Sequence, residues 1–194
     1  SLQVVLTAVV LTGYVGRHGP AALAGYGVGV RLELLQIPLV FAVGQALVVL
    51  VGTNIGAGNI ARAKHVGWLG AALAAAICLV IGGTVAIFPL AWVGLFSADA
   101  AVLDAGSGYL RVVAPFYPLL GISIALYFAS QGAGRMLMPV LAGTARLVIV
   151  LAGGAAAATL SGIFAVVAFG MTVGGVLLMW FVARADWNSG SPRQ

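Results

Sequence analysis

The sequence predicts an all-α polytopic membrane protein, a bundle of six transmembrane helices, and three observations predict it. Hydrophobic residues make up 62% of the 194 residues and charged ones 7%, against roughly 25% charged in a soluble domain. The mean hydropathy is +1.16. Apolar runs recur with lengths close to the roughly 20 residues that carry a helix across about 30 Å of hydrocarbon. A transmembrane barrel would alternate polarity residue by residue, and these alanine- and leucine-rich runs have no period of two.

The first span, 2–15, is short. It opens in apolar sequence without an initiator methionine or a basic leader, so an N-terminal part is expected to precede it. Arg17-His-Gly-Pro20 supplies the turn into the second span, 23–51, which holds Pro38. The stretch Gly52-Thr-Asn54-Ile-Gly56-Ala-Gly58-Asn59, followed by Arg62, Lys64 and His65, reads as a membrane-surface hinge before the third span, 66–90. Ser97, Asp99 and Asp104 mark the next loop. The fourth span, 109–129, carries Pro115 and Pro118, and Gly132-Ala-Gly134-Arg135 closes it. The fifth and sixth spans are 136–157 and 163–182. Residues 1–187 thus form the six-helix bundle and 188–194 a tail. Short loops imply antiparallel neighbours.

Charge counting orients the bundle. With the Arg62/Lys64 loop in the cytoplasm, alternation places Arg135, Arg184 and Arg193 there too, and Asp99, Asp104, Arg17 and Arg111 opposite. The C-terminus is then cytoplasmic. The net charge of +5 reads as a match to lipid headgroups rather than to nucleic acid. The two Gly-Ala-Gly turns echo each other two spans apart.

Ionisable residues inside spans are expensive and default to functional candidates. Glu33, the only glutamate, shares a helix face with Gln36 and not with Arg31. A structural pair and a proton- or ion-linked role both fit it. Arg146, mid-span, could neutralise Glu33 or meet an anionic group across a cavity. The fourth span holds Tyr109, Arg111, Tyr117, Ser123, Tyr127, Ser130 and Gln131, the best candidate for a substrate-facing wall. Pro38, Pro115 and Pro118 are kink candidates; Asn54, Gly56, Gly58 and Asn59 are hinge candidates.

Gly67, Gly70, Gly82, Gly83, Gly153, Gly154, Gly174 and Gly175 fit close helix packing. Trp68, Trp92, Trp180 and Trp187 fit interfacial anchoring. Cys78 reads as packing, and His18 and His65 have no second ligand at metal-binding spacing. No nucleotide loop, zinc-protease motif, serine elbow or close carboxylate pair is present. Neither an enzyme nor a bound cofactor or metal is expected, and no channel filter can be picked out.

Ala24-Gly-Tyr-Gly-Val-Gly-Val-Arg31-Leu-Glu33, then Pro38, then Val51-Gly-Thr-Asn54-Ile-Gly-Ala-Gly58-Asn59-Ile-Ala-Arg62-Ala resembles the C-terminal half of multidrug and toxic compound extrusion (MATE) transporters. Tyr109-Leu-Arg111, Gln131-Gly-Ala-Gly134 and Pro139 fit the same pattern. The resemblance implies one lobe of a two-lobed, twelve-helix antiporter of a bacterial inner membrane, partnered by a missing N-terminal six-helix lobe and by membrane lipids. Such proteins export organic cations or drugs in exchange for protons or sodium ions, with lobes rocking about a central cavity. Arg31 and Glu33 look like the recurring pair of the family's eighth helix. The spans matching its seventh and tenth helices lack the acids of sodium-type members, which favours the proton-coupled, DNA-damage-inducible-like type. Rival readings are a lipid or lipid-linked saccharide flippase, using Arg146 and Arg111, and a non-transporting membrane scaffold.

Overall fold

The computed structural model describes residues 2–187, and their regular structure is helical throughout. In order these are α1 (Leu2–Gly16), α2 (Pro20–Gly56), α3 (Ile60–Ile87), the short α4 (Pro89–Val93) and α5 (Ala100–Val113). A single 3-10 turn, Ala114–Phe116, follows, then α6 (Tyr117–Gly132), α7 (Leu137–Ala156) and α8 (Leu160–Arg184). Five segments among the described residues are long and apolar enough to cross a membrane, the α5–α6 pair counting as one. The sixth predicted span is α1, whose 15 residues reach only about 22 Å at 1.5 Å per residue.

Local chemistry moves several predicted boundaries. Pro20 takes the first turn of α2, where its missing N–H costs nothing. At the other end α2 continues to Gly56, so Asn54 and Gly56 lie in its last turn rather than in a loop. Arg62, Lys64 and His65 likewise ride on the first turns of α3. That helix stops at Ile87, because Phe88 precedes Pro89 and is held out of the helical region at φ −119°, ψ 57°. Leu90, predicted in the third span, therefore belongs to α4.

The largest correction is in the fourth span. Asp99 caps α5, its carboxylate accepting from the N–H groups of Ala101 at 2.8 Å and Val102 at 3.4 Å. Helix thus begins at Ala100, and Asp104 is helical rather than in the expected loop. Trp187 is also corrected: instead of anchoring at an interface it is 3% exposed and reaches Gly67 on α3. The predicted tail, 188–194, with Arg193, lies outside the described residues.

Close contacts give the direction of neighbouring helices. Gly25 meets Ala105 and Gly106, Gly29 meets Tyr109, Gly44 meets Phe128, and Gly132 meets Val48, so α2 and α5–α6 run parallel along their lengths. Gly82 meets Ala114 and Gly121 meets Ala74, making α3 antiparallel to α6. Gln3 bonds Thr144 and Tyr14 bonds the Leu151 carbonyl, making α1 parallel to α7. Strict alternation follows. Arg62, Lys64, Arg135 and Arg184 share one end of the bundle, and Arg17 and Asp99 share the other.

Packing is carried by small residues, as expected where lipid removes the hydrophobic drive between helices. At Gly25 an added Cβ would lie 2.6 Å from a backbone nitrogen; at Gly82, 2.5 Å from a backbone oxygen. Cys78 is fully buried beside Gly121, a packing residue as predicted.

Candidate functional site

A cleft of about 680 Å³ opens between α1, α2, α6, α7 and α8. Helical spacing builds its walls. On α2, Glu33, Ile37, Phe41, Gln45 and Val48 recur at three- to four-residue steps, so one stripe faces the opening. Leu120, Ser123, Ile124, Tyr127 and Gln131 form the matching stripe of α6. Gln3 from α1, Arg146 from α7 and Met171 from α8 complete the enclosure. Glu33 and Arg146 are its two charged lining residues.

Glu33 lies about 20 Å along α2 from Pro20 at 1.5 Å per residue, deep within the span and partly buried. Its Oε1 accepts a short hydrogen bond from the Tyr109 hydroxyl and a longer one, 3.4 Å, from the Tyr117 hydroxyl. Both tyrosines are buried behind the cleft wall, 1% and 0% exposed. The Tyr109 ring is fixed edge-on against Tyr26 at 5.3 Å and Phe164 at 5.1 Å. A buried carboxylate costs several kcal/mol unless it is bonded; the two hydroxyls supply that bonding and hold it at a fixed place in the wall.

Arg146 sits near the middle of α7. Its stem lies on α8, where Cβ atoms added at Gly170 and Gly174 would stand 3.5 Å from its Cγ and Cβ. Its Nε is buried without a hydrogen-bond partner among the described residues. Glu33 and Arg146 face the same cleft without a direct ion pair between them, and the charge of Arg146 still acts on Glu33 across it.

The other sequence candidates separate. Tyr127 and Gln131 line the cleft, and Tyr109 and Tyr117 act on it through Glu33. Gln36 does not join Glu33: it is 1% exposed and its Nε2 donates to the Leu32 carbonyl at 3.4 Å. Arg31 is exposed on another face, its guanidinium 5.1 Å over the Phe96 ring, beside a separate hollow of about 340 Å³. Arg111 is exposed and lies off the cleft. Sequence reasoning missed Gln3, Phe41, Gln45 and Phe128; the four-residue spacing from Glu33 through Phe41 to Gln45 was the available signal.

The two Gly-Ala-Gly turns prove to be the same closure. Gly58 and Gly134 have φ of 76° and 70°. Asn59 N–H bonds the Asn54 carbonyl at 2.8 Å and Gly58 N–H that of Ile55 at 2.9 Å; Arg135 bonds Ser130 at 2.8 Å and Gly134 bonds Gln131 at 3.0 Å. These are the paired bonds of a Schellman motif. Pro115 lies in the 3-10 break and Pro118 in the first turn of α6, whereas α2 runs on through Pro38.

Comparisons with known proteins agree with this architecture. A family model described as MatE matches residues 1–151. An FAD transporter of Shewanella oneidensis is 31% identical over 136 residues, 68% of this chain and 29% of that protein. The multidrug resistance protein NorM of Burkholderia vietnamiensis is 31% identical over 135 residues, 67% of this chain and 29% of its own length. The solved MATE transporter ClbM in complex with Rb+ superposes with a TM-score of 0.86 at 25% identity, over 96% of this chain and 46% of that one. The Vibrio cholerae MATE transporter VcmN in its bent form shares the fold, with a TM-score of 0.84 at 19% identity over 94% of this chain and 43% of its own. The chain therefore spans under half of each of these proteins, which are named as transporters rather than enzymes. With residues 1–151 matched by the family model and the helical fold shared with solved relatives, this chain belongs to the MatE family.

Proposed function

We propose that the chain is the C-terminal lobe of a secondary active multidrug efflux antiporter, exporting organic cations or drugs in exchange for protons or sodium ions. The observation that carries this reading is the cleft, walled by five helices, with a carboxylate held deep inside it by Tyr109 and Tyr117. A second six-helix lobe would close the open side, and rocking of the two lobes would alternate access. Proton coupling of the DNA-damage-inducible-like type is favoured, since apart from Glu33 the cleft lining has no carboxylate to share a sodium ion.

The lobe would sit in a bacterial inner membrane with Arg62, Lys64, Arg135 and Arg184 at the cytoplasmic end, by the positive-inside rule. The flippase alternative draws less support, since Arg111 does not reach the cleft and Arg146 alone would have to meet a phosphate headgroup. A scaffold would have no use for a charged cleft.

Efflux of a cationic dye by the full-length protein in membrane vesicles, under imposed proton and sodium gradients, tests the reading. Glu33→Gln should lower gradient-driven efflux at least about tenfold, the scale of losing a charge-assisted interaction. Dye movement under neither gradient would sink the antiporter reading, and normal efflux by Glu33→Gln would remove Glu33 from it.

A further inference from the structure

We propose that Arg146 is a specificity-determining residue of the cleft, selecting cargo that carries an oxyanion, a carboxylate or phosphate, beside a planar aromatic body. The proposal rests on the transport reading above and names the chemistry of its cargo.

The first argument is the unused capacity of the side chain. A guanidinium presents five donors in a rigid fork. Here Nε is buried without a partner, and no described protein group receives a hydrogen bond from the Arg146 head. Glu33 acts on the guanidinium only across the cleft, so the hydrogen-bonding donors of the fork stay unused by the protein. Packing alone does not account for it, since the Gly170 and Gly174 surface needs only the stem, and an aliphatic side chain would fill that groove as well.

The second argument is elimination within the cleft. Glu33 is the sole carboxylate of the lining, and its Oε1 is committed to Tyr109 and Tyr117. Gln3 donates to Thr144 at 2.7 Å and to the Val140 carbonyl at 3.3 Å. Arg146 thus lines a volume of about 680 Å³ in which Glu33 acts on it from a distance and no protein anion makes a direct contact with its fork. A planar oxyanion matches it in a bidentate bond.

The third argument concerns the opposite wall. Phe41, Tyr127 and Phe128 form an edge-to-face ladder, with centroids 5.0 and 5.5 Å apart, and Phe41 and Tyr127 offer rings at the lining. Arg146 lies roughly 13 Å from either end of α7. That depth favours an anion on a molecule inside the cleft over a lipid phosphate at the membrane surface.

The test uses the full-length protein and one xanthene dye in two forms, the cationic methyl ester and the free carboxylate. Binding is read by fluorescence anisotropy in neutral detergent, and efflux from phosphatidylcholine vesicles with and without anionic lipid. Arg146→Gln should weaken carboxylate-dye binding at least about tenfold, the scale of a charge-assisted hydrogen bond, and leave ester binding within about twofold. Arg146→Lys should fall between, because a point charge replaces a fork. Retained ester binding shows that each variant is folded. Equal loss of both dyes, loss of neither, or an effect seen only with anionic lipid would overturn the proposal. If the wild type moves no dye under any gradient, the antiporter reading fails, and the binding ratio still decides for or against Arg146.

Discussion

Helix α2 and the α5–α6 pair lie side by side and parallel, and they end in the same Schellman closure, yet they differ in the middle. Along α2 the helix is continuous through Pro38. Its partner breaks into a 3-10 turn at Ala114–Phe116. The contacts of Gly25 with Ala105 and of Gly29 with Tyr109 set the register, which puts this break level with Glu33. Tyr109 reaches the carboxylate from before the break and Tyr117 from after it. A proline alone therefore does not interrupt these helices. The interruption occurs where two prolines fall three residues apart and where the neighbouring helix carries the buried charge. The regular helix supplies the carboxylate, and the broken one supplies the hydroxyls that hold it.

The strongest way to break this comparison is to force the two helices apart. At Gly25 a Cβ would stand 2.6 Å from the Gly106 nitrogen and 2.9 Å from the Val102 carbonyl oxygen, both backbone atoms that cannot swing aside. Gly25→Ala should cost about 3 kcal/mol, the upper part of the usual overpacking range. Thermal unfolding of the full-length protein in detergent would report it as a clear fall in midpoint. Gly27→Ala, where nothing lies within 4 Å, is the matched control and should be neutral or slightly stabilising. Equal midpoints for the two variants would mean that the helices are not in the register described.

The fold was largely legible in the sequence, because runs of about 20 apolar residues separated by glycine, proline and charge admit little besides membrane helices. What could not be read was pairing across the bundle. Glu33 and Tyr109 are far apart in sequence, and no local pattern says that a glycine on one helix seats a tyrosine from another. Arg31 and Gln36 were natural partners for Glu33 by proximity in the chain, but helix rotation sends Arg31 to an outer face and Gln36 into the core. Arg111 misled for the same reason. It belongs to a polar-decorated helix, and only the angular position of each residue shows which part of that decoration faces the cleft.

The next test sharpens the comparison at its centre. Tyr109 makes the short bond to Glu33 and Tyr117 the 3.4 Å one. Tyr109→Phe should destabilise by roughly 2 kcal/mol, within the range for hydrogen bonds to charged groups. Tyr117→Phe should cost less, because hydrogen bonds weaken as they lengthen. Double-mutant cycles with Glu33→Gln isolate each coupling, and that of Tyr109 should be the larger. The reverse order would place the main anchor of Glu33 after the break rather than before it.

The smallest expected effect concerns the ends, where the two helices are alike. Gly58 and Gly134 both sit in the left-handed region, and a Cβ at either would find nothing within 4 Å. The cost of alanine is then conformational alone, about 1 kcal/mol, since L-residues lose 1–2 kcal/mol there. Both substitutions should lower the unfolding midpoint by the same small amount. Gly56, two residues earlier and helical, gives the opposite sign: Gly56→Ala has open space and should stabilise by up to about 1 kcal/mol. If these turns only terminate helices, transport rates in all three variants should follow stability. A hinge at Gly56 and Gly58 would instead slow transport in Gly56→Ala, the variant made more stable, because it removes freedom that the moving lobe needs.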